Sequence, residues 1–378
     1  MLNVAPVTSK RDWKTFVDLP WFIYANDPNW APPLRISIHD ILNVKKNPFF
    51  KHATSRAFVA YRDRKAVGRI TATIDTVNNE FHSENVGVFG YFECENNGET
   101  AKALLDTASD WLKERGVQKI RGPINLSTNN ECGLLVEGFS APASVMMNYN
   151  PSYYEALIGQ NGFKKEKDLY AWEVDQKNSL SDRMLAQIER LRAKSQIQIR
   201  PIRMSDFKKE VETILEIYND AWETNWGFVP MNREEFLHTA KDLKLIVDPE
   251  LALILEKNGE AIGFGLALPD LNQVLKKIPS GKLLPFGLLK LLWNLKGPGR
   301  RKTVNRARIV TLGIKKQYQT RAVGPLVYSE FFKRGPKRGY YFGEASWILE
   351  DNAPMNKALE GMGAQKTKTY RIFEKQIS

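Results

Sequence analysis

Residues 308–363 contain the pattern that decides the fold. An apolar run, RIVTLGI (308–314), is followed by the polar loop KKQYQTRAVG (315–324) and by a helical pattern from about Pro325. A second apolar run and a second helical pattern follow within YYFGEASWILEDNAPMNKALEGMGA (340–364). A strand that leads through a glycine-containing loop into a helix presents free N–H groups and partial positive charge in one direction. The stretch therefore predicts a phosphate-binding loop between a strand and a helix.

The composition is typical of a folded protein that binds anionic partners. The 378 residues suit about two domains, and a hydrophobic content of 43% excludes a wholly disordered chain. The net charge of +12 favours phosphate-bearing ligands, an acidic carrier protein, anionic lipid or nucleic acid. Because no known nucleic-acid-binding module is visible, we expect no nucleic-acid partner.

Cysteine, histidine and hydropathy patterns narrow the class further. Cys94 and Cys132 and the four scattered histidines match neither a disulfide scaffold nor a zinc site, so we expect no metal. The N-terminal segment lacks the apolar core of a signal peptide, and no run of about 18 apolar residues occurs. We expect a cytoplasmic protein, with association at a membrane surface left open.

Strand and helix patterns occur twice in the same order, which predicts an internal duplication. The first copy is assigned to residues 1–176 and the second to residues 196–378, with a charged connecting helix over 177–195. Each copy is expected to be a mixed β-sheet flanked by helices, an α/β fold of the mixed α+β kind. In the second copy, Ser205 is expected to cap a helix that ends near residue 222.

Residues 269–307 form an insert in the second copy. Its centre, KLLPFGLLKLLWNLK (282–296), is rich in Leu and lies within a basic segment, 276–302. The apolar run is too short to span a bilayer. Three interpretations stay open: a crossover helix packed on the sheet, a helix that lies in the membrane interface, and a cover over an acyl-chain tunnel.

The loop after RIVTLGI resembles the cofactor loop of the GNAT superfamily of acyltransferases. The superfamily pattern is Arg or Gln, two residues, Gly, one residue, then Gly or Ala, and RAVGPL matches it at Arg321 and Gly324. The sequence departs from the pattern at Leu326, which replaces a small residue, and at Pro325, which has no N–H group. The resemblance implies that the loop binds the pyrophosphate of acyl-CoA and that the preceding strand pairs with the pantetheine amides. The implied cofactor-binding residues are Thr311, Leu312, Gly313, Ile314, Arg321, Ala322, Val323, Gly324 and Asn352.

The whole chain is similar to a bacterial family of tandem GNAT acyltransferases, related to the ceramide-synthase-type N-acyltransferases. The similarity is carried by DPNWAPPL (27–34), GPINLSTNNECGLLVEGF (122–139), YNDAWETNWGFVPM (218–231) and EASWILEDN (344–352). It implies an enzyme that transfers an acyl group from acyl-CoA or acyl carrier protein to an amine, which can be a hydrophobic or lipid amine. Because the first copy lacks the Arg-x-x-Gly pattern, we expect it to be degenerate and to shape the acceptor side.

Acyl transfer from a thioester to an amine needs a base, a polarised carbonyl and an acid for the departing thiolate. Glu344 is the candidate base, and Ser346, two residues further along one strand face, is a candidate partner of the acceptor or the thiolate. The superfamily often has a Tyr four residues before Gly363, where this chain has Leu359, so Tyr370 is the candidate replacement. The alternatives are a solvated acid for Glu344 and a structural hydroxyl for Ser346.

The candidate acceptor-binding residues are Trp222, Asn225, Trp226 and Asn130. Dense aromatic residues suit an apolar acceptor, although core packing explains tryptophans equally well, and the segment around Asn130 is either part of the cleft between the copies or a turn. Asn352 is either a helix cap or a cofactor contact. Because the expected Tyr is missing and the loop is imperfect, the alternative function is a non-catalytic GNAT-like binding module at a membrane or on an anionic partner.

Overall fold

The computed structural model describes residues 1–175, 182–319 and 323–377. Strands from both sequence copies form one 13-stranded mixed sheet. The strands are β1 (Leu2–Pro6), β2 (Ala53–Arg62), β3 (Lys65–Asp75), β4 (Val86–Cys94), β5 (Lys119–Gly122), β6 (Leu134–Glu137), β7 (Lys164–Asp175), β8 (Gln198–Pro201), β9 (Ala252–Lys257), β10 (Glu260–Pro269), β11 (Arg306–Ile314), β12 (Phe342–Leu349) and β13 (Gln365–Gln376).

Helices connect the strands. They are α1 (Lys10–Asp18), α2 (Pro20–Ile23), α3 (Arg35–Ile41), α4 (Thr76–His82), α5 (Gly98–Lys113), α6 (Tyr154–Gln160), α7 (Asp182–Ser195), α8 (Phe207–Trp222), α9 (Arg233–Leu243), α10 (Asn272–Leu275), α11 (Gly287–Leu295), α12 (Arg300–Thr303), α13 (Val323–Arg334) and α14 (Ala353–Gly361). Short 3-10 helices occur at Pro48–Lys51, Met204–Asp206, Pro249–Leu251, Lys316–Tyr318 and Pro336–Arg338.

The order of the strands joins the two copies. It runs β1-β2-β3-β4-β5-β13-β7-β12-β11-β10-β9-β8, and β6 also pairs with β13. The C-terminal strand β13 therefore lies between β5 and β7 of the first copy, and β7 lies between β13 and β12. The pairs β4/β5 and β11/β12 are parallel. A mixed sheet flanked by helices is the architecture that the sequence predicts.

The helices of the second copy cover both faces of its sheet. On β9, Leu253 and Leu255 pack in one cluster with Val327 of α13. The intervening Ile254 packs in a different cluster with Ile217 of α8. Because successive side chains of a strand point to opposite faces, α13 and α8 lie on opposite faces of the sheet.

Some elements differ from the prediction. Ser205 does not cap a helix, because residues Met204–Asp206 form a 3-10 turn and α8 begins at Phe207 with Asp206 at its N-cap. Leu134–Glu137 form β6, a strand that local sequence does not predict, since it depends on pairing with the distant β13.

The helix after β11 begins at Val323, which places Pro325 within its first turn, where a missing N–H costs no hydrogen bond. The predicted connecting helix over 177–195 corresponds to α7 from Asp182 onwards, and its first part lies outside the described residues. The division of the chain into domains stays a prediction.

The insert leaves the sheet after β10 and returns at β11. It contains the three short helices α10, α11 and α12. Among the described residues, none of the helices combines the length and the apolar character needed to cross a bilayer.

Candidate active site

The strands β11 and β12 diverge and leave an opening in the sheet. They are paired only from Arg306 to Ile309 on β11 and from Phe342 to Ala345 on β12. Beyond this point β12 pairs with β7 and β11 pairs with β10, so within the described residues the facing edge of 310–314 has no strand partner. The β10/β11 register shifts where Val310 is the extra residue, a β-bulge of the kind that is frequent next to active sites.

A cavity of about 310 Å³ passes through this opening. On one face of the sheet its walls include Tyr328 of α13 and Met355 of α14, and on the other they include Trp222 of α8 and Phe236 of α9. Because α13 and α8 lie on opposite faces, two ligands that approach from opposite faces can meet in the opening. The end beneath α8 and α9 is mainly apolar, with lining residues Ile202, Phe207, Val211, Ile214, Leu243 and Val247.

Arg308 is the centre of a buried polar network beside the opening. It is 3% exposed, and its Nε donates to Ser346 Oγ at 2.8 Å. Its terminal nitrogens donate to the carbonyl oxygens of Ser346 at 2.9 Å, Val145 at 3.0 Å and Met146 at 3.1 Å. Burial lowers the pKa of Arg308, and the nearby Glu344 carboxylate opposes this effect. Arg308 and Ser346 both line the cavity, so the network reaches a ligand there.

Glu344 lies on the side of Ser346 that faces away from the cavity. The hydroxyls of Ser346 and Ser144 donate to its two carboxylate oxygens, each at 2.7 Å. Glu344 is 1% exposed and is not among the residues that line the cavity. A proton that leaves a ligand in the cavity can therefore reach the Glu344 carboxylate through the Ser346 hydroxyl.

Asp270 supports the segment that accepts hydrogen bonds from Arg308. Its Oδ1 accepts from the backbone N–H of Val145 at 2.9 Å and from that of Asn272 at 3.2 Å. Burial, together with the charge of Glu344, raises the pKa of Asp270 to about 6. The base of the insert is thus hydrogen-bonded to the backbone around Arg308.

Many of the residues predicted from the sequence meet in the cavity. Those that line it are Ser346, Thr311, Leu312, Asn352, Trp222, Asn225, Trp226 and Asn130. Gly313 and Ile314 continue β11, and a Cβ at Gly313 would approach Phe264 to 2.8 Å. Val323 and Gly324 begin α13. Arg321 and Ala322 lie outside the described residues.

Tyr370 lies behind the cavity. It is fully buried in a cluster with Cys132 and Leu169, and it is not among the lining residues. Within the described residues its hydroxyl has no hydrogen-bond partner. Burial and the charge of Glu344 raise its pKa well above the usual value, so the phenol keeps its proton. A role for Tyr370 as the acid stays a prediction.

Asn352 caps helix α14, and the predicted cofactor contact stays a prediction. Its Oδ1 accepts from the backbone N–H of Met355 at 3.2 Å, which caps α14. The residue also lines the cavity.

A loop of the first copy closes the end of the cavity beneath α8 and α9. The Thr128 hydroxyl donates to the Gly227 carbonyl oxygen, and Asn129 Nδ2 donates to the Val229 carbonyl oxygen at 3.1 Å. Asn129 Oδ1 accepts from the Tyr218 hydroxyl at 2.6 Å. The loop around Asn130 therefore lies in the cleft between the copies. It is also a turn, since the Asn130 N–H donates to the Ser127 carbonyl oxygen at 3.0 Å, so the two predicted alternatives hold together.

The corresponding opening in the first copy is filled by the chain itself. The strands β4 and β5 are paired only from Val86 to Val88. Beyond this point the Ile124 N–H donates to the Phe89 carbonyl oxygen at 2.8 Å, and a Cβ at Gly90 would lie 2.2 Å from the Ile124 carbonyl oxygen. The backbone after β5 thus occupies the place that a ligand can take in the second copy.

The described residues contain no group of three or more His, Cys, Asp or Glu placed to hold a metal ion.

Solved structures with the same arrangement define the class of protein. A tandem GNAT protein from the clavulanic acid biosynthesis pathway is 11% identical with a TM-score of 0.58, over 100% of this chain and 99% of that chain. A GCN5-related N-acetyltransferase from Sphaerobacter thermophilus is 11% identical with a TM-score of 0.53, over 100% of this chain and 96% of that chain. The fold is that of the tandem GNAT acetyltransferases, as the sequence predicts.

Relatives of higher identity show the family. The chain is 38% identical to the bacterial ceramide synthase of Caulobacter vibrioides (strain NA1000 / CB15N) over 381 residues, 100% of this chain and 98% of that protein. It is 37% identical over 374 residues to Protein YghO of Escherichia coli (strain K12), 98% of this chain and 94% of that protein. No protein-family model matches the sequence. The chain belongs to the bacterial ceramide synthase family, and it is an N-acyltransferase.

Proposed function

We propose that the protein transfers an acyl group from acyl-CoA, or from acyl carrier protein, to the amino group of a hydrophobic or lipid amine. The observation that carries this proposal is the cavity that joins the two faces of the sheet through the β11/β12 opening. It allows a thioester from one face and an amine from the other to meet beside Ser346.

The donor is assigned to the face that carries α13 and α14. The unpaired edge of 310–314 offers backbone groups to the pantetheine amides, as the GNAT resemblance implies. The N-terminus of α13, at Val323 and Gly324, offers partial positive charge to the pyrophosphate. Arg321 and Asn352 are proposed to complete this side.

The acceptor is assigned to the face that carries α8 and α9. Trp222, Trp226 and the aliphatic lining below them suit a hydrocarbon chain, with Asn225 and Asn130 near the polar end. The name of the Caulobacter relative, a ceramide synthase, supports a lipid amine.

The chemistry is assigned to the network around Ser346. Glu344 accepts the proton of the attacking ammonium through the Ser346 hydroxyl, and the freed amine nitrogen forms a bond to the thioester carbonyl carbon. Arg308, held at Ser346, stabilises the negative charge that develops on the carbonyl oxygen. The carbon–sulfur bond then breaks, and the thiolate leaves with a proton from Tyr370 or from the protonated Glu344–Ser346 pair. The second proton of the former ammonium passes to the group that gave its proton to the thiolate, which leaves a neutral amide and restores that group. The proton that remains on Glu344 then passes to solvent.

The proposal extends to location. We assign the protein to the cytoplasm and to a membrane face, with lipid contact through residues 276–302, since those residues combine exposed apolar and basic side chains.

Calorimetric titration with CoA and with a long-chain acyl-CoA, followed by a turnover assay with a long-chain amine, tests the proposal. Glu344→Gln and Ser346→Ala are expected to lower turnover by about 100-fold or more, typical for loss of general acid–base catalysis, with CoA affinity unchanged. Ser109→Ala, which removes another buried serine hydroxyl in the first copy, is the control and should leave turnover intact.

Absence of binding to both CoA ligands by the wild-type protein would rule out a CoA donor, and acylated carrier protein would then be titrated in their place. Wild-type turnover by Glu344→Gln would remove Glu344 from the role of base.

A further inference from the structure

Helix α11 exposes apolar side chains on the side that faces away from the protein. Leu289 and Trp293 are 64% and 59% exposed, and Leu288 and Leu292 are also exposed. Asn294, in contrast, is buried, and its Oδ1 accepts from the Thr303 hydroxyl at 2.6 Å and from Lys277 Nζ at 3.2 Å. On its inner side Leu295 is buried and Leu291 packs against the core of the second copy, together with Asn294. The helix is thus apolar on its outer side as well, whereas a helix in contact with water alone would expose polar side chains there.

The exposed apolar surface continues beyond α11. Leu284 and Phe286, just before the helix, are 76% and 68% exposed. The apolar patch is defined here by Leu284, Phe286, Leu288, Leu289, Leu292 and Trp293. Contiguous exposed apolar side chains of this kind mark interaction surfaces.

The patch is held to the rest of the molecule by the first copy. Trp21 Nε1 donates to the Pro279 carbonyl oxygen at 2.7 Å, and Arg35 Nε donates to the Ser280 carbonyl oxygen at 2.8 Å. The base of the insert is therefore fixed to the first copy.

Unpaired cations accompany the patch. The exposed residues Lys282, Lys290, Lys296, Arg301 and Lys302 form no ion pair within the described part of the chain. The sequence from 276 to 307 contains no Asp or Glu. Apolar side chains accompanied by unpaired cations match the interface of a bilayer, in which acyl chains lie below anionic head groups.

We propose that the apolar patch docks the protein on an anionic lipid bilayer, with the leucines and Trp293 in the interface and the cations at the lipid phosphates. A second copy of the chain fits less well, because two such patches face to face would bring the same unpaired cations together. This inference deepens the proposed function, on which it rests for a lipid acceptor. Docking on vesicles is measured without catalysis, so the docking inference and the proposed acyltransferase function can fail separately.

The docking surface is physically connected to the candidate active site. Asn272, at the base of the insert, donates from Nδ2 to the Ala143 carbonyl oxygen at 2.9 Å, and the neighbouring Asp270 accepts from the Val145 N–H. Val145 in turn accepts from Arg308. A short series of hydrogen bonds thus connects the base of the insert, which the bilayer would hold, to the reacting groups.

Flotation with vesicles of phosphatidylcholine, alone or mixed with phosphatidylglycerol, tests the proposal on the full-length protein. The wild type should float with the mixed vesicles and less with the neutral ones, and added salt should weaken the binding. The double variant Leu289→Asn/Trp293→Asn should lose flotation. The matched control is Leu245→Asn, because Leu245 is also 64% exposed but lies outside the patch, and it should float as the wild type does.

A second pair of variants tests the charges. Lys282→Gln/Lys290→Gln should lower partitioning onto mixed vesicles by about 25-fold, since each basic residue near an anionic surface contributes about fivefold. Lys113→Gln/Lys208→Gln, which removes two exposed lysines elsewhere, should change it little.

Three results would overturn the proposal. The first is a wild type that floats with neither kind of vesicle, and the second is patch variants that float as the wild type does. The third is light scattering that shows a wild-type dimer converted to a monomer by Leu289→Asn/Trp293→Asn, which would assign the patch to a second copy.

Discussion

At the scale of single residues, a serine separates the two opposite charges of the candidate active site. Arg308 and Glu344 are register partners on β11 and β12, yet the Ser346 hydroxyl connects them, accepting from one and donating to the other. The planar guanidinium also donates hydrogen bonds to two backbone carbonyl oxygens of the 144–146 segment. The single ammonium group of a lysine would not reproduce this pattern. The network thus holds Arg308 in a fixed orientation toward the cavity.

Asp270→Asn should stabilise the protein above about pH 6. The pKa of Asp270 is raised from 3.8 to about 6 in the folded state. Ionisation of Asp270 therefore destabilises the folded protein at higher pH, whereas below about pH 4 the group is protonated and this destabilisation is absent. A tenfold change in proton affinity corresponds to about 1.4 kcal/mol, so the gain is on the order of 3 kcal/mol at most. Asparagine keeps the Oδ1 acceptor for Val145 and Asn272.

Urea unfolding of both proteins from pH 4 to pH 8 measures this difference. The advantage of the variant should grow as the pH rises from about 4 to 6 and then remain constant. An equal difference at every pH would show that Asp270 does not titrate in this range.

Motif spacing was sufficient to predict Ser346 and Asn352 at the cavity, because both lie within one local strand–helix pattern. Arg308 and Asp270 could not be predicted, since a basic residue at the start of an apolar run, and an acid after one, are typical of any strand end. Their role depends on the backbone of 143–146, which reaches them only in the folded chain.

At the scale of elements, helix α9 is attached to the first copy through a histidine between two carboxylates. His52 Nδ1 lies 2.9 Å from Asp75 Oδ1, and its Nε2 is hydrogen-bonded to Glu235 of α9. Burial lowers the pKa of His52, but the hydrogen bond and charge of Glu235 and the charge of Asp75 outweigh this, and the net pKa is raised. We assign the proton to His52, because a neutral ring would leave two carboxylates without a counter-charge.

His52→Gln should destabilise the protein mainly at low pH. A raised histidine pKa contributes stability that is fully present below the ordinary value of 6.5 and is lost as the pH rises through the folded-state value. The expected loss is about 1 kcal/mol, since the cluster is partly hydrated. Unfolding free energies at pH 5.5 to 9, an interval chosen around the usual histidine pKa of about 6.5, measure it.

His82→Gln is the control, because the His82 ring also bridges the copies through the carbonyl oxygen of Phe228, but within the described residues it has no hydrogen bond to a carboxylate. A loss that is the same at every pH would contradict a protonated His52.

The elements of the second copy follow from local sequence more fully than the connections between them. The apolar run RIVTLGI and the glycine-containing loop after it predict β11 and α13, and both are present. The bulge at Val310 leaves no local signal, because it depends on the register with β10. The filling of the first opening by Ile124 depends in the same way on two strands coming together.

At the scale of the whole molecule, the last strand joins the two copies. β13 pairs with β5, β6 and β7, all of which belong to the first copy, and β7 pairs with β12. The sequence predicts two successive domains from element order, but strand partners that are distant along the chain cannot be read from that order.

We expect one cooperative unfolding transition, and we expect loss of structure in both copies when residues 365–378 are removed. The shared strand couples the copies, so neither retains its sheet without the other. Scanning calorimetry tests the first expectation, and hydrogen exchange of β5 and β12 tests the second. A chain without residues 1–6 is the control, because β1 is an edge strand that pairs only with β2. Two separate transitions in the wild type would contradict the coupling.

The closed opening of the first copy determines how many donor molecules one chain is expected to bind. With Ile124 bonded to Phe89, and with Gly90 so close that no side chain fits there, the first copy has no room for a second donor. A duplicated enzyme with two equal sites would bind two donors per chain, whereas this one should bind a single equivalent. The loop of the first copy at Thr128 and Asn129 instead forms part of the wall of the candidate site in the second copy.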